Sequence, residues 1–192
     1  MKKQIVNASA GIALFAAAML AHAAPASYTI DPTHTSVVFE VRHFGTSTIR
    51  ARFGVKSGTI TIDPAAKSGK AGIVIDTASV SSGVPDLDRD LKSTNYFNVG
   101  TYPDATFTAT DFRFDGDRVT QVSGDLAIIG TTRPVTLDAT HYHCYHSPLF
   151  DKQVCGGDFE TRIKRSEWNI NALIPFVSDE TTLLIQIEAT RD

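Results

Sequence analysis

Little in this chain points to catalysis. It contains no G-x-S-x-G elbow, no H-E-x-x-H pair and no glycine-rich phosphate loop. A dispersed triad would leave no local signature, but nothing local suggests a nucleophile paired with histidine, and the chain reads as a non-enzyme with no required cofactor. Beyond residue 23 no apolar run approaches the roughly 20 residues that a membrane-spanning helix needs. Basic charge is not in excess either. The formal net charge is −3, which argues against nucleic acid or an anionic membrane surface as the main partner. There is no internal repeat, no low-complexity segment and no interdomain linker. Cysteine is limited to Cys144 and Cys155, without a C-x-x-C spacing.

The beginning of the chain sets the compartment. "MKK" is followed by the apolar "IVNASAGIALFAAAML" and by "AHA" at Ala21 to Ala23. A basic start, an apolar middle and a small-x-small end form a cleaved secretory signal over residues 1–23. Its removal takes Lys2 and Lys3 and leaves sixteen basic against 21 acidic residues, near −5. Residues 24–192 then suit one domain with a substantial core, soluble and exported, most simply to the periplasm. In an exported chain an even, close cysteine pair is expected to be joined, so Cys144 and Cys155 are read as a disulfide stapling a hairpin.

Most of the remainder alternates. In "LLIQIEA", Leu183, Ile185 and Ile187 fall on one face and Gln186 and Glu188 on the other. In "FETRIKR", Phe159 and Ile163 oppose Glu160, Arg162 and Lys164. Strands with one apolar face belong to antiparallel sheet. The expected spans are 27–30, 35–44, 47–62, 71–80, 105–115, 118–129, 133–145, 157–166 and 180–191. Turn chemistry separates them at "DPAAKSGKAG", "DGD" and "SPLFDKQVCGG". The parity of "TFTATDFRF" slips between Phe107/Ala109 and Phe112/Phe114, which a bulge near Asp111 would repair. Gly54 and Gly58 would let the long third strand bend. One segment departs from alternation: "PDLDRDLKSTNYF" spaces Leu87 and Leu91 by four, with Pro85 first, aspartates early and Lys92 late, and predicts a short helix. About eight such strands close into a barrel or stack as a sandwich. The long bent strand and lone helix favour the barrel.

The motifs "IDPTHTSVVFEVRHFGTSTIRARF", "LKSTNYFNVGTYPDATFTAT", "GDLAIIGTTRPVTL" and "IKRSEWNI…PFVSDETTLLIQIEA" occur in this order across the mature chain. Together they resemble the YceI-like family of exported bacterial proteins. The resemblance implies an all-β, lipocalin-like, eight-stranded antiparallel barrel whose elongated apolar cavity holds a polyisoprenoid, an isoprenoid quinone or a related lipid, often in connection with stress. It brings no catalytic residues. Three features depart from the family pattern. Asp90 in "DRDL" stands where a histidine is usual, Trp168-Asn169 stand where F-G is frequent, and "HYHCYHSPLFDKQVCGG" is richer in His and Cys than is typical.

On this reading the apolar wall comprises Val37, Phe39, Val41, Phe53, Ile75, Phe107, Phe112, Leu126, Ile128, Leu137, Phe159, Ile163, Leu183 and Ile185. Phe97 closes one end, and Trp168 and Phe176 join the ligand contacts, with Trp168 near the mouth and free to stack on a flat ligand. The same aromatics would alternatively fill the barrel. His43 ends the apolar face of "SVVFEVRH" and is either a polar contact for a ligand oxygen or a structural group bonded to Arg42, Asp31 or a backbone carbonyl. His34 is expected in an exposed turn. His141, His143 and His146 sit at strand spacing beside Cys144, but a consumed thiol and no identified carboxylate leave no metal assigned. The competing functions are a scavenger of exogenous amphiphiles and a filled-barrel interaction protein that presents Leu87 and Leu91 to a membrane partner. Transient membrane contact and a homodimer are compatible with each.

Overall fold

In the computed structural model, residues 25–149 and 151–192 are described. The signal reading over residues 1–23 lies outside them. The elements are β1 (Ala26–Ile30), β2 (Ser36–His43), β3 (Ser47–Asp63), β4 (Ser68–Ser81), α1 (Pro85–Lys92), β5 (Asp104–Asp115), β6 (Arg118–Ile128), β7 (Thr131–Ser147), β8 (Lys152–Lys164) and β9 (Val177–Arg191). A 3-10 turn at Arg165–Trp168 follows β8.

The nine strands form one antiparallel sheet closed on itself. From β3 to β9 each strand pairs with the next in the chain. The remaining place, between β9 and β3, is shared. β2 fills its first half, with Phe39 opposite Ala51 of β3 and Leu183 of β9. β1 fills the other, with Thr29 opposite Thr59 and Thr190. Nine strands therefore occupy eight positions, which is the expected barrel with one strand interrupted at residues 31–35. In that interruption Asp31 accepts from the Thr33 hydroxyl at 2.6 Å and lies 2.7 Å from His34 Nδ1. These bonds hold its carboxyl down at about 2. His34 stays 60% exposed, a local turn residue.

The details follow side-chain size and turn chemistry. The β5–β6 register shifts between Ala109 and Asp111, at the parity slip. Phe107, Ala109 and Phe112 are consequently all buried. β3 shifts register against β4 around Gly54 and again before Ser57, which lets one strand serve both β1 and β2. β8 starts five residues before the expected 157. Gly156 and Gly157 read as turn residues in the sequence. Both are paired inside the strand, and a Cβ there would strike the carbonyls of Ile187 and His141, so glycine is what fits. The pairing of Cys144 opposite Cys155 extends through them, and the two sulfurs are bonded. α1 starts at Pro85 with Asp86 and Asp88 in its first turn and Arg89 and Lys92 in its last. Asp88 accepts from the Ser82 hydroxyl at 2.6 Å, which ties the helix to the end of β4. "YFNVGTYP" does not return to strand at once; turns continue to Thr101 before β5.

The disulfide closes a loop of 11 residues' separation. On the chain-entropy account this stabilises by about 3 kcal/mol. The Cys144→Ser/Cys155→Ser variant is therefore expected to lose about that much in urea unfolding, with the barrel's circular dichroism unchanged. A loss below about 1 kcal/mol would show that the hairpin needs no staple.

Candidate functional site

The inward faces of all nine strands, α1 and the 3-10 turn enclose a cavity of about 330 Å3. That lies within the usual range of small-molecule sites. The side chains do not fill the barrel. The wall is largely aliphatic and aromatic, because most inward residues of the alternating strands are apolar. Phe39, Phe53 and Phe97 pack as an aromatic group beneath α1, with ring centroids 4.9 to 5.8 Å apart.

Val37, Phe39, Val41, His43, Phe53, Ile75, Phe97, Phe107, Phe112, Leu126, Ile128, Leu137, Phe159, Ile163, Trp168, Leu183 and Ile185 all line this cavity. Phe176 does not. It precedes β9, is 58% exposed and stacks on Phe44 outside the barrel, at 5.3 Å. Trp168 lines the cavity but is not an open stacking surface. It is 1% exposed, and its indole N–H donates to the Leu126 carbonyl at 3.0 Å. Leu87 and Leu91 are not displayed outward either. Both face the cavity, and Leu91 is buried.

Apart from Thr35, Thr77 and Thr181, whose hydroxyls donate to backbone carbonyls, the polar lining groups sit at the two ends. At the end formed by α1, the 3-10 turn and the β2–β3 turn, the lining includes His43, Asp90, Tyr96 and Arg165. The His43 ring makes no hydrogen bond among the described residues and meets Phe44 edge-on at 4.8 Å. Of the lining residues, Asp90 and Leu173 are exposed, so the cavity opens between α1 and the loop before β9. At the opposite end the lining includes Tyr28 and Tyr142. The Tyr28 hydroxyl donates to Gln153 at 2.9 Å. Burial pushes the Tyr142 phenol up to about 12, so it stays neutral.

Arg165 and Tyr96 are site residues that the sequence reading passed over. Arg165 was hidden in the charged run "RIKRSE", yet its parity with Phe159 and Ile163 would have placed it inward. It is 7% exposed and forms no ion pair among the described residues. Instead its guanidinium donates to three backbone carbonyls: Ser178 at 2.8 Å, and Ile170 and Val177 at 2.9 Å each. Burial pulls it below its ordinary value, opposed by Tyr96 and Asp179. Burial alone would raise Asp179, but hydrogen bonds from Ser166 hold it low. The arginine thus fastens the loop after β8 to the start of β9 and floors the open end of the cavity.

The histidine-rich hairpin assembles no metal centre among the described residues. Cys144 is oxidised, His141 and His143 lie on the outer wall, and His146 Nε2 faces Asp151 at 2.8 Å.

Arg165→Leu would strand three carbonyl groups in an apolar setting, at about 1 kcal/mol or more each. A destabilisation of about 3 kcal/mol is expected by chemical denaturation, and Arg165→Lys should restore only part of it, because an ammonium lacks the planar fork. Full stability of Arg165→Leu would contradict the anchoring role.

A sequence model described as the YceI-like domain matches residues 28–189. The protein named Protein YceI from Escherichia coli O157:H7 is 34% identical over all of this chain and 99% of its own length. That from Salmonella arizonae is 32% identical with the same coverage. Among solved structures, BcnA of Burkholderia cenocepacia superposes with a TM-score of 0.67 at 24% identity, covering 84% of this chain and 99% of its own. A Campylobacter jejuni YceI protein gives 0.66 at 25% identity, covering 79% and 90%. A Saccharophagus degradans protein described as a polyisoprenoid binding domain shares the fold, with a TM-score of 0.62 at 17% identity over 87% of this chain and 99% of its own. With a match spanning nearly the whole described barrel and relatives aligned end to end, the chain belongs to the YceI-like family.

Proposed function

We propose that this protein binds an isoprenoid lipid or isoprenoid quinone inside the barrel and carries or stores it in the periplasm. The observation that carries this reading is the unfilled, largely apolar cavity of about 330 Å3 that opens beside Asp90 and Leu173. A flexible prenyl tail suits such a wall. Each five-carbon unit withdrawn from water gains about 3 kcal/mol gross, and association costs reduce that sum. Relative to a bilayer the gain is small, which suits exchange in both directions. The polar end supplies orientation: His43 offers a ring nitrogen to a carbonyl or hydroxyl oxygen, and Tyr96 lies in the same region. The described disulfide and the signal-like residues 1–23 both suit an oxidising, extracytoplasmic compartment. The named binding activity of the Saccharophagus degradans relative fits this assignment. Scavenging of exogenous amphiphiles would use the same cavity. The filled-barrel alternative loses its premise, since the interior is open.

Phe107 tests the wall. It is 8% exposed, lies opposite Ile73 and Leu126, and faces the cavity. Phe107→Asp places a carboxyl against the tail at about 2–3 kcal/mol, so the mature protein should bind farnesol about a hundredfold more weakly. Ala105→Phe, which fills the space without charging it, should also lower the bound fraction. Farnesol binding unchanged in both folded variants would contradict this use of the cavity.

A further inference from the structure

The rim of the cavity is apolar on its outside as well. Phe44 is 55% exposed, Leu173 55%, Phe176 58% and Val84 53%. All four belong to segments at the open end: the β2–β3 turn, the loop before β9 and the start of α1. The first two segments are joined by the backbone. The Phe44 N–H donates to the Phe176 carbonyl at 2.7 Å, and the Val177 N–H donates to Leu173 at 2.8 Å. The Phe44 and Phe176 rings stack at 5.3 Å. Leu173 is both exposed and part of the lining, so the outer apolar group reaches the cavity through this residue.

Two of these side chains stand where the backbone disfavours them. Phe44 has φ +50° and Leu173 has φ +60°, the left-handed region in which glycine or asparagine is the usual occupant. Glycine at either place would relieve the backbone and remove exposed carbon. Two unfavourable features coincide at each residue, and both residues border the opening. The exposed Tyr145 and Leu149, by contrast, lie on the β7–β8 hairpin at the far end, where no exposed residue among those described lines the cavity.

We propose that Phe44, Leu173, Phe176 and Val84 form a collar that inserts into the surface of a phospholipid bilayer and sets the cavity opening against it. The proposal rests on the lipid-binding reading for its purpose, but not for its observations. A second copy of the chain fits less well. Four half-exposed side chains offer roughly 400 Å2 in all, about half of the ~800 Å2 per partner in a stable protein interface. A bilayer needs no matching shape and accepts a small apolar group at its headgroup boundary. Arg42, exposed beside the collar and in no ion pair among the described residues, would meet lipid phosphates.

The test uses the mature protein and its Val84→Ser/Phe44→Ser/Phe176→Ser variant. None of these three residues lines the cavity, and serine at 84 is a better helix cap than valine. Flotation with phosphatidylethanolamine/phosphatidylglycerol vesicles should show at least a tenfold loss of binding in the variant. Farnesol uptake from those vesicles should slow at least tenfold, while uptake from a cyclodextrin complex stays as in the unaltered protein. Equal vesicle binding by both proteins, or none by either, overturns the collar. An unaltered protein that sediments as a dimer, with a monomeric variant, also overturns it in favour of self-association. If neither protein takes farnesol from cyclodextrin, the lipid-binding reading fails, and the flotation result alone decides the collar.

Discussion

Closure of the sheet is the constraint on which the rest of the molecule depends. An open sheet would leave one strand with unpaired N–H and C=O groups along its edge. Here β9 and β3 are joined through β2 at one end and β1 at the other, so the ring closes even though residues 31–35 leave it. Closure then fixes the meaning of alternation. Every inward residue faces the same enclosed space, and every outward residue faces water. An eight-position ring is wide enough that side chains from opposite walls need not meet. The cavity is a consequence of that geometry combined with an apolar inner face, and it needs no dedicated motif.

Apart from threonine hydroxyls bonded to the backbone, polarity is kept to the ends, because the inner wall has few groups that could satisfy it. The buried charged lining residue, Arg165, spends its donors on the carbonyls of Ile170, Val177 and Ser178. It shapes the opening more than it offers charge to a guest. His43 is different. Its ring completes the apolar face of β2 and has no hydrogen bond among the described residues, so its nitrogens are available at the open end. At the far end the phenols of Tyr28 and Tyr142 remain neutral, and burial holds both above their ordinary value. A guest with one polar head and a long apolar body matches this distribution.

Much of this was legible because alternation in strands is a local signal. Phe39, Val41, Leu183 and Ile185 could be assigned to one wall from neighbouring residues alone, and the slip at Asp111 announced its bulge. The disulfide followed from compartment and count. Errors arose where long-range packing overrode local chemistry. Gly156 and Gly157 looked like a turn, but they are strand residues crowded by carbonyls of the adjacent strands. Phe176 was expected among the ligand contacts, but the 3-10 turn and the loop after it shift the chain so that it lies outside against Phe44. Arg165 was passed over: parity alone places it inward, but sequence carries no mark of three carbonyls converging from a loop and a strand 5 to 13 residues away.

The central claim is that the cavity holds a lipid in the cell. The most direct measurement is native mass spectrometry of the mature protein, isolated without detergent from the organism that makes it, with solvent extraction of whatever is released. One prenyl lipid or prenyl quinone per barrel is the expected result. A protein that emerges empty and then takes up no prenyl lipid from vesicles would contradict it.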